Sequence, residues 1–147
     1  PLNNNVADVF ADGNMRLVRG DVWRYEDGQY LASASVLAGN GYWVYASVKS
    51  TTVVTVFGNR PQDVWQMREG WSLTGPIYNV EDFKTQYGDY TIFIDPTLIK
   101  QATSDFKGNI NYIDIITNAG KYPMEVGKAY WIYSAKGVAL PVYPTDK

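Results

Sequence analysis

Short runs of β-branched and aromatic residues alternate with turn residues along most of the chain, and this pattern predicts a mainly β fold. The runs are bounded by Gly, Asp, Asn or Pro, as expected of antiparallel strands joined by tight turns. The strands predicted in this way are residues 15–18, 22–25, 30–32, 42–48, 51–57, 71–74, 90–94, 110–116, 130–134 and 138–143.

The clearest local signal is a hairpin at Asp27-Gly28. This dipeptide readily takes the positive backbone dihedrals that tight hairpin turns require, and aromatic strands flank it on both sides. Two segments carry helical signals instead. Residues 79–87 start with Asn79 as a potential cap and end before a glycine, and residues 5–11 start with Asn5. We therefore expect one or two short helices beside the strands, with a further helical turn at residues 95–100.

One motif occurs twice. Residues 39–46 read Gly-Asn-Gly-Tyr-Trp-Val-Tyr-Ala, and residues 127–134 read Gly-Lys-Ala-Tyr-Trp-Ile-Tyr-Ser, so that Trp43 and Trp131 stand 88 positions apart. Trp and Tyr are uncommon residues, which makes a chance match of this length improbable. The motif predicts a single domain, 1–147, built from two repeats of about 1–61 and 62–147. Two related antiparallel halves would then form one sandwich or barrel.

The two predicted repeats differ at their start. Residues 76–83 resemble residues 1–10, but the strand that precedes Pro76, at residues 70–74, has no counterpart before Pro1. We therefore expect the first repeat to lack its opening strand. Either the sequence is a fragment of a longer secreted protein, or a strand from another subunit fills the place in trans by β-addition.

The duplicated motifs resemble a repeat module of secreted and surface-attached bacterial and archaeal proteins. That module opens with Gly-Trp-Asn-Leu and a following Pro, contains Val-Trp-x-Tyr-(Asp/Glu), and ends with Gly-Lys-Gly-Tyr-Trp-Val. The matching residues are 70–76, 22–26, 37–44 and 126–132, with Ser72 in place of the Asn and Ala129 in place of the second Gly. The family has no defined function, so the resemblance implies an extracellular or cell-surface location and no catalytic residue.

Composition removes several classes of function. The 147 residues include no Cys and no His, which excludes a cysteine nucleophile, a Cys/His zinc site and a Ser-His-Asp triad. Carboxylates lie mostly in predicted turns and helix caps, where they are expected to be solvated. A net charge of −2 offers no basic surface for nucleic acid, and no apolar run is long enough for a membrane span. We expect no enzyme activity, no metal and no cofactor.

The aromatic strands are the candidate binding residues. Side chains alternate between the two faces of a strand, so that Val44 and Ile132 mark the core face and Trp43, Tyr45, Trp131 and Tyr133 lie on the other. An exposed Trp/Tyr platform is how many carbohydrate-binding modules hold sugar rings. In the alternative interpretation both faces are covered, and the same rings belong to the core.

The sequence therefore favours a non-catalytic structural or adhesion module of a secreted or cell-surface protein. Its partners would be other copies or domains of a surface assembly, and strand exchange is one way in which they would join. The alternative is a carbohydrate-binding module with a glycan ligand.

Overall fold

A computed structural model describes residues 5–12, 15–47, 64–105 and 107–142. In these ranges the protein is mainly β, with antiparallel sheets and two short α-helices, as the hydrophobic pattern predicts. Within the same ranges no sheet closes into a barrel. The elements are α1 (Val6–Val9), β1 (Ala11–Asp12), β2 (Met15–Arg16), β3 (Val22–Glu26), β4 (Gln29–Ser33), β5 (Tyr42–Trp43), β6 (Val64–Met67), β7 (Gly70–Thr74), α2 (Phe83–Gln86), β8 (Lys100–Ser104), β9 (Ile110–Asp114), β10 (Ala129–Ser134) and β11 (Val138–Pro141).

The N-terminal part, residues 5–47, contains a three-stranded sheet in the order β4-β3-β5. The predicted hairpin is confirmed, because β3 and β4 pair around a turn in which Asp27 and Gly28 have φ angles of 49° and 80°. Its small core lies on one face of the sheet, where α1 packs. The buried members are Val6, Val18 and Val22, with Phe10, Val36 and Tyr42 packed against them.

The C-terminal part, residues 64–142, contains a four-stranded sheet in the order β7-β10-β8-β9 and a separate pair of strands, β6 and β11. Its larger core lies between these two sheets and α2. Period-two alternation on β10 turns Tyr130 and Ile132 into this core. Trp65 and Met67 enter it from β6, and Leu140 enters it from β11.

The strand predicted at residues 90–94 is wrong. Residues 88–90 form a 3₁₀ turn, and the N–H groups of Phe93 and Ile94 donate to the carbonyl of Tyr90 at 2.9 Å each. The side chain of Ile94, at the end of this turn, is fully buried. Its burial accounts for the apolar run without a strand, since local hydrogen bonds already satisfy the backbone.

Strand β8 was not predicted, because Lys, Gln, Thr and Ser dominate residues 100–104. It forms because β10 and β9 flank it on both sides and complete its hydrogen bonds. A 3₁₀ turn at Pro96–Leu98, capped by Asp95, precedes it and confirms the helical turn predicted there.

The predicted helices exist but are short. The side chain of Asn5 accepts a hydrogen bond from the N–H of Ala7 at 2.8 Å and caps α1, as predicted. Helix α2 starts at Phe83 rather than near Asn79, whose side chain instead accepts a hydrogen bond from the N–H of Val126. None of the described helices has the length and apolar character needed to cross a bilayer. The strand predicted at residues 51–57 lies outside the described residues.

Candidate functional site

The motif on β10 has one buried face and one partly exposed face. Tyr130, Ile132 and Ser134 are buried, whereas Trp131 is half-buried and Tyr133 retains 39% of its surface. The period-two prediction for this strand is therefore correct in its choice of core face. It leaves the two predicted binding residues, Trp131 and Tyr133, together on the outer face.

The outer face of β10 meets the β3–β4 hairpin of the N-terminal part. The ring of Tyr25 contacts Trp131 edge to face, with centroids 4.6 Å apart. Next to this contact, the Glu26 carboxylate forms an ion pair with Arg68, with Oε1 and Nη2 2.7 Å apart. The covered alternative thus holds for Trp131, which lies beneath the hairpin.

The corresponding residues of the first motif lie on and beside β5. Trp43 is half-buried and stands opposite Trp23 of β3, while Tyr45 is 65% exposed. Burial raises the pKa of the Tyr30 hydroxyl, and the nearby Trp43 indole partly opposes this shift. The indole Nε1 atoms of Trp43 and Trp131 are both buried without a regular hydrogen-bond partner. They therefore present no donor to a ligand at the surface.

Aromatic side chains lie between and beside the two motifs, and three of them, Tyr25, Tyr30 and Trp71, were not among the predicted binding residues. Tyr25 and Tyr30 face each other across the hairpin, 5.4 Å apart, and Tyr133 contacts Trp71 of β7 at 5.5 Å. We call the resulting series the aromatic row, and its members are Trp43, Tyr30, Tyr25, Trp131, Tyr133 and Trp71. The hairpin register across Asp27-Gly28 was the signal that would have placed Tyr25 opposite Tyr30. Only the Trp71–Tyr133 end of the row exposes both of its rings.

A second feature lies on the strand edge beside Tyr42 and is called the open edge here, comprising residues 42–46. The strand predicted at residues 42–48 covers only Tyr42 and Trp43 of its described residues, so that Val44, expected on the core face, lies just beyond β5 and is 40% exposed. Within the described ranges, β5 lies at the edge of the sheet β4-β3-β5 and pairs with β3 alone, and Ala46 forms a bridge with Val18. Exposed strand edges with unpaired backbone groups are templates for pairing with another strand.

Carboxylates in the described part of the chain hold loops rather than a reaction centre. Groups of three or more acidic residues placed to bind a metal ion are absent from that part. Asp82 illustrates the usual role, since its carboxylate accepts hydrogen bonds from the Thr85 hydroxyl at 2.6 Å and the Tyr122 N–H at 2.9 Å. Burial alone would raise the pKa of Asp82, but these hydrogen bonds outweigh it and lower the pKa.

Comparisons of the chain with protein-family models, with curated proteins and with solved structures gave no match.

Proposed function

We propose that the N-terminal and C-terminal parts are two copies of one β unit. Three hydrogen bonds in the first part have counterparts in the second, including one to a tyrosine hydroxyl. They are Val6 N–H to Ala34 C=O and Phe83 N–H to Tyr122 C=O; Leu37 N–H to the Tyr42 hydroxyl and Glu125 N–H to the Tyr130 hydroxyl; and Ser47 N–H to Leu17 C=O and Ala135 N–H to Phe93 C=O. Their residues up to position 17 correspond to residues 76 or 77 positions later, and their residues from position 34 onward correspond to residues 88 positions later. Such repetition of backbone and side-chain contacts supports a common ancestral unit.

The proposed copies differ in what covers the duplicated strand. Ile132 is fully buried, because β7 pairs with β10 along its length and β6 and β11 close the core above it. Val44, 88 positions earlier, is 40% exposed. One observation therefore carries the functional proposal: among the described residues, β5 is the edge strand of its sheet, whereas β10 has β7 paired beside it.

We infer that the protein is a non-catalytic structural or adhesion module of a secreted or cell-surface protein, and that it joins neighbouring modules by β-strand addition at the open edge. The surface location rests on the resemblance of the Gly-Trp and Tyr-Trp motifs to surface-protein modules. Strand addition supplies affinity through main-chain hydrogen bonds and specificity through alternate side chains. Absence of Cys and His fits a role that requires no nucleophile.

Native mass spectrometry at protein concentrations of about 1 to 100 µM tests this function, a range that covers typical weak to moderate affinities. The protein is measured alone and with a soluble peptide of alternating Thr and Val flanked by Lys. Val44→Lys puts a charge on the open edge, and Ile92→Lys is the matched control at a residue that is 75% exposed and lies outside the open edge. We expect wild type and Ile92→Lys to form complexes and Val44→Lys to remain monomeric. Monomer alone in every sample would contradict the proposal.

A carbohydrate-binding module is the second candidate, and the exposed end of the aromatic row favours it. Trp71 and Tyr133 both present ring surface to solvent, and flat aromatic faces are suited to the apolar CH face of a sugar ring. Affinity electrophoresis in gels containing soluble polysaccharides, with wild type and a Trp71→Ala/Tyr133→Ala double variant, tests it. Retardation of wild type only, with equal circular dichroism for both proteins, would support glycan binding; equal mobility in all gels would exclude it for those polysaccharides.

A further inference from the structure

We propose that the partner at the open edge is a strand with the chemistry of β7 of this same chain, Gly-Trp-Ser-Leu-Thr, carried with its preceding β6-like strand by an adjoining module. This inference rests on the proposed function and names the donor. It follows from the way in which the C-terminal part completes its own copy of the motif.

The register between β7 and β10 defines what such a donor would meet. Three residues of β7 stand opposite residues of β10: Thr74 opposite Tyr130, Ser72 opposite Ile132 and Trp71 opposite Tyr133. Transferred by 88 positions, the same strand would place its Thr opposite Tyr42 and its Ser opposite Val44. Small polar donor residues would thus face Tyr42, which packs against the small N-terminal core, and the exposed Val44.

The outer face of the donor strand also has a matching partner. Its Trp would stand opposite Tyr45, the most exposed aromatic residue of the first motif, at 65%. In the C-terminal part the corresponding rings, Trp71 and Tyr133, make an edge-to-face contact at 5.5 Å. Cross-strand aromatic pairs of this kind stabilise antiparallel sheets, which gives Tyr45 a role when the edge is occupied.

The preceding strand belongs to the donor because β6 and β7 act as one segment. The indole Nε1 of Trp65 donates to the Thr74 hydroxyl at 2.7 Å, which ties the two strands together across the turn at Arg68. Trp65 and Met67 are both almost fully buried in the C-terminal core. Equivalent side chains on a donor would cover Val44, whose exposure a single added strand would reduce only in part.

A donor with the length and register of β7 fits the open edge better than an arbitrary strand would. Pairing at the open edge needs a donor that ends near Tyr42, because the carbonyl of Leu73 already accepts a hydrogen bond from the N–H of Gly41. On β10 the strand ends at the equivalent place, with Thr74 opposite Tyr130. A donor of β7 length and register therefore occupies the open edge and stops where the existing contact begins.

A labelled synthetic peptide of residues 64–75 tests the inference by fluorescence anisotropy against the intact protein. We expect it to bind wild type and Ile92→Lys, and to bind Val44→Lys at least tenfold more weakly. Three comparison peptides are a Ser72→Pro version, which breaks the strand, a Trp65→Ala version and a scrambled sequence. Each is expected to bind wild type at least tenfold more weakly than the native peptide.

The outcomes separate this inference from the function on which it rests. If the alternating Thr-Val peptide and the 64–75 peptide bind the open edge equally well, strand addition stands and the donor proposed here is wrong. Failure of the 64–75 peptide to bind, or binding that Val44→Lys leaves unchanged, also overturns the donor. If neither peptide binds and the protein does not self-associate, the function itself fails.

Discussion

The ring of Tyr25 meets the indole of Trp131 edge to face, with centroids 4.6 Å apart, and thereby fixes the N-terminal hairpin on the outer face of β10. The sequence left two interpretations of this outer face, an exposed binding platform and a covered face, and the contact covers part of it. Trp131 consequently has a packing role, and the exposed ring surface moves to Trp71 and Tyr133. The stability of the whole domain should depend on this junction.

Tyr25→Ala should lower the free energy of unfolding by about 2 kcal/mol, because it removes a half-buried ring and its aromatic contacts without emptying a fully enclosed site. Tyr45→Ala is the control. Its ring is 65% exposed, and the expected change is within about 0.5 kcal/mol. Chemical denaturation of both variants measures the difference. Equal, small effects would show that the Tyr25–Trp131 contact does not join the two parts.

The hydroxyl of Tyr130 should contribute more to stability than the hydroxyl of Tyr133, which lies on the outer face of the same strand. The Tyr130 hydroxyl accepts the N–H of Glu125 at 2.8 Å, and replacement by Phe leaves that donor unsatisfied. We predict a loss of about 1 kcal/mol for Tyr130→Phe and almost none for the exposed control Tyr133→Phe. Tyr42→Phe, which removes the equivalent bond to Leu37, should resemble Tyr130→Phe. A neutral Tyr130→Phe in urea denaturation would refute this role.

Gly41 should not tolerate a side chain. A Cβ atom there would lie 2.8 Å from Cγ of Leu73 and 3.1 Å from the backbone nitrogen of Thr74, where the two parts approach closely. Gly41→Ala should therefore cost about 1 to 3 kcal/mol through overpacking. Gly88→Ala, where a Cβ has no atom within 4 Å, is the control and should stay within about 0.5 kcal/mol. Thermal unfolding of the pair provides the measurement.

Asp82 should make stability depend on acid pH. Burial would raise its pKa, but hydrogen bonds from Thr85 and Tyr122 lower it below the ordinary value of 3.8. Because the folded-state pKa is the lower one, the stabilisation is present above the unfolded pKa and is lost as pH falls through the folded pKa. Asp82→Asn should flatten the decline in stability below about pH 4, and Thr85→Val should do so in part. Unfolding curves of Asp82→Asn that decline in parallel with wild type would disprove the assignment.

Local signals predicted much of the fold. Asp27-Gly28 determines a hairpin within a few residues, and alternation on β10 identifies its buried face. Strand β8 escaped prediction because its neighbours, rather than its own polar residues, make it a strand. Residues 90–94 show the opposite error. Their residue types favour a strand, but their backbone forms a turn with hydrogen bonds to the Tyr90 carbonyl, and Ile94 is buried in the core.

The candidate site was only partly accessible from the sequence. Period two placed Trp131 and Tyr133 together, but the approach of Tyr25 depends on how two sheets pack. The contrast between Val44 and Ile132 was also hidden, because the two motifs are nearly identical. What differs is the strand across from each, and that depends on tertiary structure.

Amide hydrogen exchange at Val44 and Ile132, followed by NMR with and without the residue 64–75 peptide, tests the central claim most directly. In the free protein the amide of Val44, an exposed residue beside an edge strand, should exchange much faster than that of Ile132, which is buried on a strand paired with β7. Saturating peptide should slow exchange at Val44 and leave Ile132 unchanged. Strong protection of Val44 in the free monomer, or no gain in protection with peptide, would contradict an open edge that accepts a β7-like strand.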